Sequence, residues 1–179
     1  MRFLTTSLMF GAAMLLGAQA LAQAPAPTPT QPPSGGTPEQ MPFATPYGTS
    51  ITADRAVKVV AAVLAEAAKH PTWRFAISVV DTSGELVYFY RMDSTQFASI
   101  AISQGKARTS VRFRRESRAF YTAFETGHEY VHTLDPGLVA SPGGYPLIEA
   151  GKIIGAVGCS GGTGDMDATV CKAGADTIK

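Results

Sequence analysis

The chain has 179 residues, with 15 Lys and Arg against 14 Asp and Glu, and a formal charge of only +1. Such a balance excludes the basic footprint of a nucleic-acid binder or of a protein held on an anionic membrane. With 2 cysteines and 45% hydrophobic residues, the sequence describes an ordinary cored domain and no disulfide-dense miniature.

The first element is a secretory signature. Arg2 supplies a positive start, Phe3 to Leu21 is an almost uncharged apolar run, and Ala20-Leu21-Ala22 and Ala22-Gln23-Ala24 both offer the small-x-small pattern of a signal peptidase site. The run is just long enough to span a bilayer, but the small residues favour cleavage. Residues 1–22 are therefore read as a signal peptide, and the mature protein is expected to be periplasmic or secreted, with no membrane partner. No cysteine stands near the cut, which excludes a lipoprotein anchor. Residues 23–49 are dominated by Pro, Thr, Gln and Gly and show no apolar period, so they are read as a disordered Pro-rich linker. Residues 50–179 remain as one domain.

Within that domain the spacing of Ala56, Val60, Val63, Leu64, Ala67 and Ala68 predicts a helix over 52–69, capped by Thr52 and stopped by Pro71. Phe75–Val80 and Leu86–Tyr90 are β-rich runs around the turn residues Asp81-Thr82-Ser83-Gly84, which predicts an antiparallel hairpin. Helical spacing returns over 97–113 through Phe97, Ile100, Ala101, Ala107 and Val111. A further helix is expected from Ser117 to Phe124, with Gly127 as its terminal glycine. Residues 128–144 read as loop. Tyr145–Ile148 and Lys152–Val157 flank Glu149-Ala150-Gly151 as a second hairpin, and Asp165–Lys179 forms a last helix. Hairpins between helices argue for an antiparallel sheet of about four or five strands flanked by helices, an α+β sandwich.

Three stretches can carry chemistry. His128-Glu129-Tyr130-Val131-His132 matches H-E-x-x-H, which in zinc hydrolases presents two imidazoles on one helix face with the glutamate as base, and Glu149 is a candidate third ligand. That motif needs a continuous helix, whereas Gly127 precedes it and Pro136-Gly137 follows. An exposed loop is the preferred reading, from which His128 and His132 can still ligate a metal or haem. The glycines from Gly158 to Gly164 resemble an anion-holding turn at a helix start but fit neither nucleotide-binding fingerprint. Lys106, Arg108, Arg112, Arg114 and Arg115 make one helix basic, and its simplest role is a solvated face. Arg91-Met92-Asp93 is read as an ion pair closing the first hairpin. Cys159 and Cys171 are placed at a strand end and in the helix that follows. They are candidates either for a disulfide or for two small buried apolar residues. No C-x-x-C-H is present, so covalent c-type haem is excluded.

Taken in order, Ser78-Val79-Val80-Asp81 with Gly84, Arg91-Met92-Asp93, Ile102-Ser103-Gln104 with Lys106-Ala107-Arg108-Thr109, Arg114-Arg115-Glu116-Ser117, Gly143-Gly144-Tyr145-Pro146, Gly151 to Gly158 with Ser160-Gly161, and Asp167 resemble the GlcG/HbpS family. This is a haem-binding or haem-degrading domain that also forms the C-terminal part of PduO-type proteins. The resemblance implies a profilin-like α/β sandwich, frequent homo-oligomers, and haem or corrinoid as ligand in some members. It implies a cofactor role for Lys106 and Thr109, while His128 and His132 match no family position and are the alternative axial ligands. The expectation is a protein that binds or senses a tetrapyrrole without transforming it. The alternatives are a small zinc hydrolase and an accessory protein to a periplasmic dehydrogenase.

Overall fold

A computed structural model describes residues 44–179. The expected signal peptide and most of the expected linker lie outside these residues. The elements run α1 (Ala53–Ala67), β1 (Ala76–Val80), β2 (Leu86–Arg91), α2 (Ala98–Arg112), α3 (Arg118–Glu125), a 3-10 turn (Glu129–Thr133), β3 (Gly144–Glu149), β4 (Lys152–Ser160) and α4 (Gly164–Ala175). The four strands form one antiparallel sheet in the order β2-β1-β4-β3. This is the α+β sandwich expected from the sequence, with four strands.

Both hairpins close where the turn chemistry puts them. Ala150 and Gly151 have φ of +46° and +73°, the pair of left-handed residues that a two-residue hairpin loop requires. In the first hairpin the Asp81 carboxylate accepts from the backbone N–H of Ser83 and Glu85 and from the Ser83 hydroxyl, which fixes the reversal.

Side chains alternate across the sheet. Ile77, Val79, Val157, Cys159 and Leu147 join Val59, Val60 and Val63 of α1 and Ala168, Val170 and Cys171 of α4 in the main core. The opposite side of the sheet carries α2 and holds a smaller cluster of Val80, Ala107, Val111, Ile153 and Ala156. Thr52 is the N-cap of α1 in extended conformation but makes no side-chain cap hydrogen bond. At the start of the described segment, Ile153 N–H donates to the Pro46 carbonyl and Gly48 N–H donates to the Ile153 carbonyl. The chain is thus tied to β4 several residues before position 50.

Candidate functional site

Helix α2 turns a polar side inward. Ser99, Ser103, Lys106 and Ser110 recur at helical spacing and are all buried, whereas Phe97 at its start is 80% exposed and Ala101 faces solvent. Of the apolar stripe expected through Phe97, Ile100, Ala101, Ala107 and Val111, only Ala107 and Val111 are fully buried, and Lys106 departs from the expected solvated basic face, on which Arg112 stays exposed. The reason lies in the strands beneath. Ser78 pairs with Gly158 and Ala76 with Ser160, so the sheet offers α2 small residues and hydroxyls. A Cβ at Gly158 would collide with the Ser103 carbonyl, and one at Gly144 with the Lys106 carbonyl. The helix backbone therefore sits directly on the sheet, with little room for large apolar side chains.

Hydrogen bonds fill this seam. The Ser103 hydroxyl donates to the Ile100 carbonyl at 3.0 Å, which leaves Ser78 as donor in the 2.8 Å Ser78–Ser103 pair. Ser160 donates to Ser99 at 3.2 Å, and the Ser110 hydroxyl is buried without a hydrogen-bond partner. Lys106 Nζ reaches Asp167 Oδ2 of α4 at 2.6 Å. Asp167 Oδ1 in turn accepts from Gly162 N–H at 2.9 Å. The glycine turn that the sequence offers as an anion holder therefore holds the chain's own carboxylate. Burial pushes the Asp167 carboxyl up, against the pull of the Lys106 ammonium and the Gly161 and Gly162 amides.

The other residues singled out from sequence lie elsewhere. Thr109 is buried, and its Oγ1 accepts from Val139 N–H at 2.9 Å, which ties the loop after the 3-10 turn onto α2. His128 and His132 are exposed on the segment after α3. The His132 ring lies 4.8 Å from Phe124, and the His128 ring 6.1 Å from Tyr130. The rings of Phe124 and Tyr130 are themselves exposed, so each histidine has a solvent-facing aromatic neighbour. Among the described residues, three clefts of about 450, 400 and 270 Å³ are lined by neither Lys106 and Thr109 nor the two histidines.

The H-E-x-x-H segment forms a 3-10 turn in place of the expected loop, and no α-helix. With three residues per turn, positions 128 and 132 leave the shared face that zinc chelation needs. Glu149, the candidate third ligand, is held by Arg55 in a two-pronged ion pair at 2.6 and 3.1 Å. No group of three or more His, Cys, Asp or Glu suited to a metal occurs among the described residues. Arg91 makes no ion pair with Asp93 among the described residues, and its guanidinium lies over the Phe97 ring, 5.4 Å from the centroid. Cys159 and Cys171 are free thiols, fully buried in the main core. The sequence offers Asp167 at the head of the last helix and Ser78, Ser103 and Lys106 among the family-matching pieces, but not Ser99, the Lys106–Asp167 pair or the buried serine contacts. Their signal was the serine and lysine spacing on α2 opposite a glycine-bearing strand.

The haem-degrading HbpS-like family profile matches residues 51–176. The chain belongs to the HbpS-like family. The GlcG protein of Escherichia coli K12 is 39% identical over 102 residues, which is 57% of this chain and 75% of that protein. An uncharacterized 15.0 kDa protein of Citrobacter freundii is 35% identical over 102 residues, 55% of this chain and 72% of that protein. The fold matches Klebsiella pneumoniae ORFY with a TM-score of 0.68 at 26% identity, covering 76% of this chain and 96% of that one. A PduOC–haem complex matches at 0.65 and 21% identity, covering 73% and 96% of the two chains, and supports the fold alone.

Proposed function

We propose that this protein binds haem or a closely related tetrapyrrole on the surface formed by α3 and the 3-10 turn, with His128 or His132 as axial ligand. The observation that carries the reading is the pair of exposed imidazoles, each beside a solvent-facing ring, His132 by Phe124 and His128 by Tyr130. A macrocycle rests well against aromatic surface and takes imidazole as an ordinary axial ligand, and this patch offers both. Membership of a haem-degrading family and a fold shared with a haem complex support it further. Lys106 and Thr109 would reach an iron only after Asp167 and the Val139 amide released them, so the reading gives the axial position to histidine.

When bound, haem brings a redox-active iron. The chain's own part is to seat the ring and present an imidazole. The apolar leader supports an exported protein, and the family resemblance supports self-assembly. Hemin titration tests the reading. A Soret shift that saturates, and that weakens when one of the two histidines is replaced by alanine, is expected. No spectral change at micromolar hemin would remove it.

A further inference from the structure

Cys159 and Cys171 stand on two elements that the fold lays against each other, the last part of β4 and the middle of α4. Neither has any solvent exposure, and both belong to the main core. Asp167 and Cys171 are four residues apart on α4 and so share the helix face turned to the sheet. Asp167 meets Lys106 on that face. Cys159 and Val157, two residues apart in β4, point into the α1–α4 side of the sandwich. There the Cys159 thiol has the Cys171 thiol as its side-chain neighbour. The Coulombic influence of Asp167 and Lys106 also reaches it.

We propose that Cys159 and Cys171 are a redox pair that closes into an internal disulfide when the chain folds in an oxidising compartment, cross-linking β4 to α4. Formation is an exchange. One thiolate attacks an incoming disulfide, either oxidised glutathione or the disulfide of a protein oxidant, and releases one thiol. The second cysteine then displaces the remaining thiol as the S–S bond forms. The protein gives up two electrons and two protons, and the incoming disulfide leaves as two thiols.

Burial determines when this occurs. Desolvation and the adjoining Cys171 thiol push the Cys159 thiol well up, so docked Cys159 is a poor nucleophile, and full burial keeps an oxidant from either sulfur. The exchange belongs to the interval before α4 packs down. Once α4 is docked, the state acquired during folding is retained.

The test uses the whole chain, unfolded and refolded either in glutathione buffer poised like an oxidising compartment or in excess dithiol. Each sample is then denatured without reductant, alkylated and weighed. The oxidised refold should take up no alkyl group, weigh two hydrogens less, and melt roughly 10 °C above the dithiol refold. Adding reductant to the oxidised protein while native should leave it unmodified for far longer than under denaturant. The Cys171→Ala chain should melt at the same temperature from both refolds, which separates the cross-link from a general effect of the buffer. Two alkyl groups on the oxidised refold, a glutathione adduct without loss of the second thiol, or identical melting of the two wild-type refolds would each overturn the proposal. None of these readouts depends on haem binding.

Discussion

Lys106 and Asp167 form an ion pair with 2.6 Å between Nζ and Oδ2 and side-chain exposures of 1% and 4%. The lysine stands on the helix that covers one side of the sheet. The aspartate stands on a helix packed against the other side, and the pair meets beside the glycine turn. Replacing either partner alone leaves an uncompensated charge in the interior. Asp167→Ala should cost about 3–5 kcal/mol, while Lys106→Met combined with Asp167→Leu should cost much less than the sum of the single changes. Urea unfolding of the four proteins checks this, and additive costs would refute the pairing.

Close approach gives a second prediction. Alanine at Gly158 would drive its Cβ into the Ser103 carbonyl and within 2.6 Å of the Ala107 nitrogen. Gly158→Ala should cost about 1–3 kcal/mol by overpacking. Gly127→Ala meets no atom within 4 Å, yet its φ of +86° carries about 1–2 kcal/mol of left-handed strain. Crystal structures of the two variants should differ accordingly, with α2 lifted from the sheet only in the first.

Acid should act through the first hairpin. Burial pushes the Asp81 carboxyl up, but the Ser83 hydroxyl and the amides of Glu85, Ser83 and Gly84 together hold it below the usual carboxylate range. A depressed folded value means that the unfolded chain takes up the proton first. The stabilisation is complete above the unfolded value of about 3.9 and is lost as pH falls from there through the folded one. Asp81→Asn keeps the turn acceptor and removes the charge, so its stability should fall less steeply with acidification below about pH 4. Chemical unfolding at a series of pH values measures the slope.

The two groups of candidate ligands should separate cleanly. Thr109→Ala deprives the Val139 amide of its buried acceptor and should lower stability by about 1–3 kcal/mol with hemin affinity unchanged. On the proposed reading, replacing His128 or His132 by alanine should do the reverse, weakening hemin binding at least tenfold with little effect on unfolding. Paired hemin titrations and melts of the Thr109, His128 and His132 variants decide the assignment.

The sequence reveals the hairpins plainly, because strand alternation and turn residues such as Asp81 and Gly151 are local signals. Helix α1 is equally legible through Ala56, Val60 and Val63, which the structure buries. The orientation of α2 is not legible locally. Its inward side is chosen by the shape of a glycine-bearing sheet, and the partner of Lys106 lies 61 residues further on. Hydrophobic periodicity reports Ala107 and Val111 of this helix but not the hydroxyls and the ion pair that seat the rest of it. The H-E-x-x-H pattern shows the opposite failure, since the letters match while Gly127 and the 3-10 turn deny them the geometry.

The serine-and-lysine underside of α2 has a mechanical consequence. A greasy helix surface can slip or roll by some degrees and find new neighbours at small cost. One keyed into the sheet by directional bonds at Ser78–Ser103, Ser99–Ser160 and Lys106–Asp167 must break several of them together to move. Helix α2 thus acts as a fixed rail, and the spacing between it and the sheet is set by bonds that are made or broken as a set.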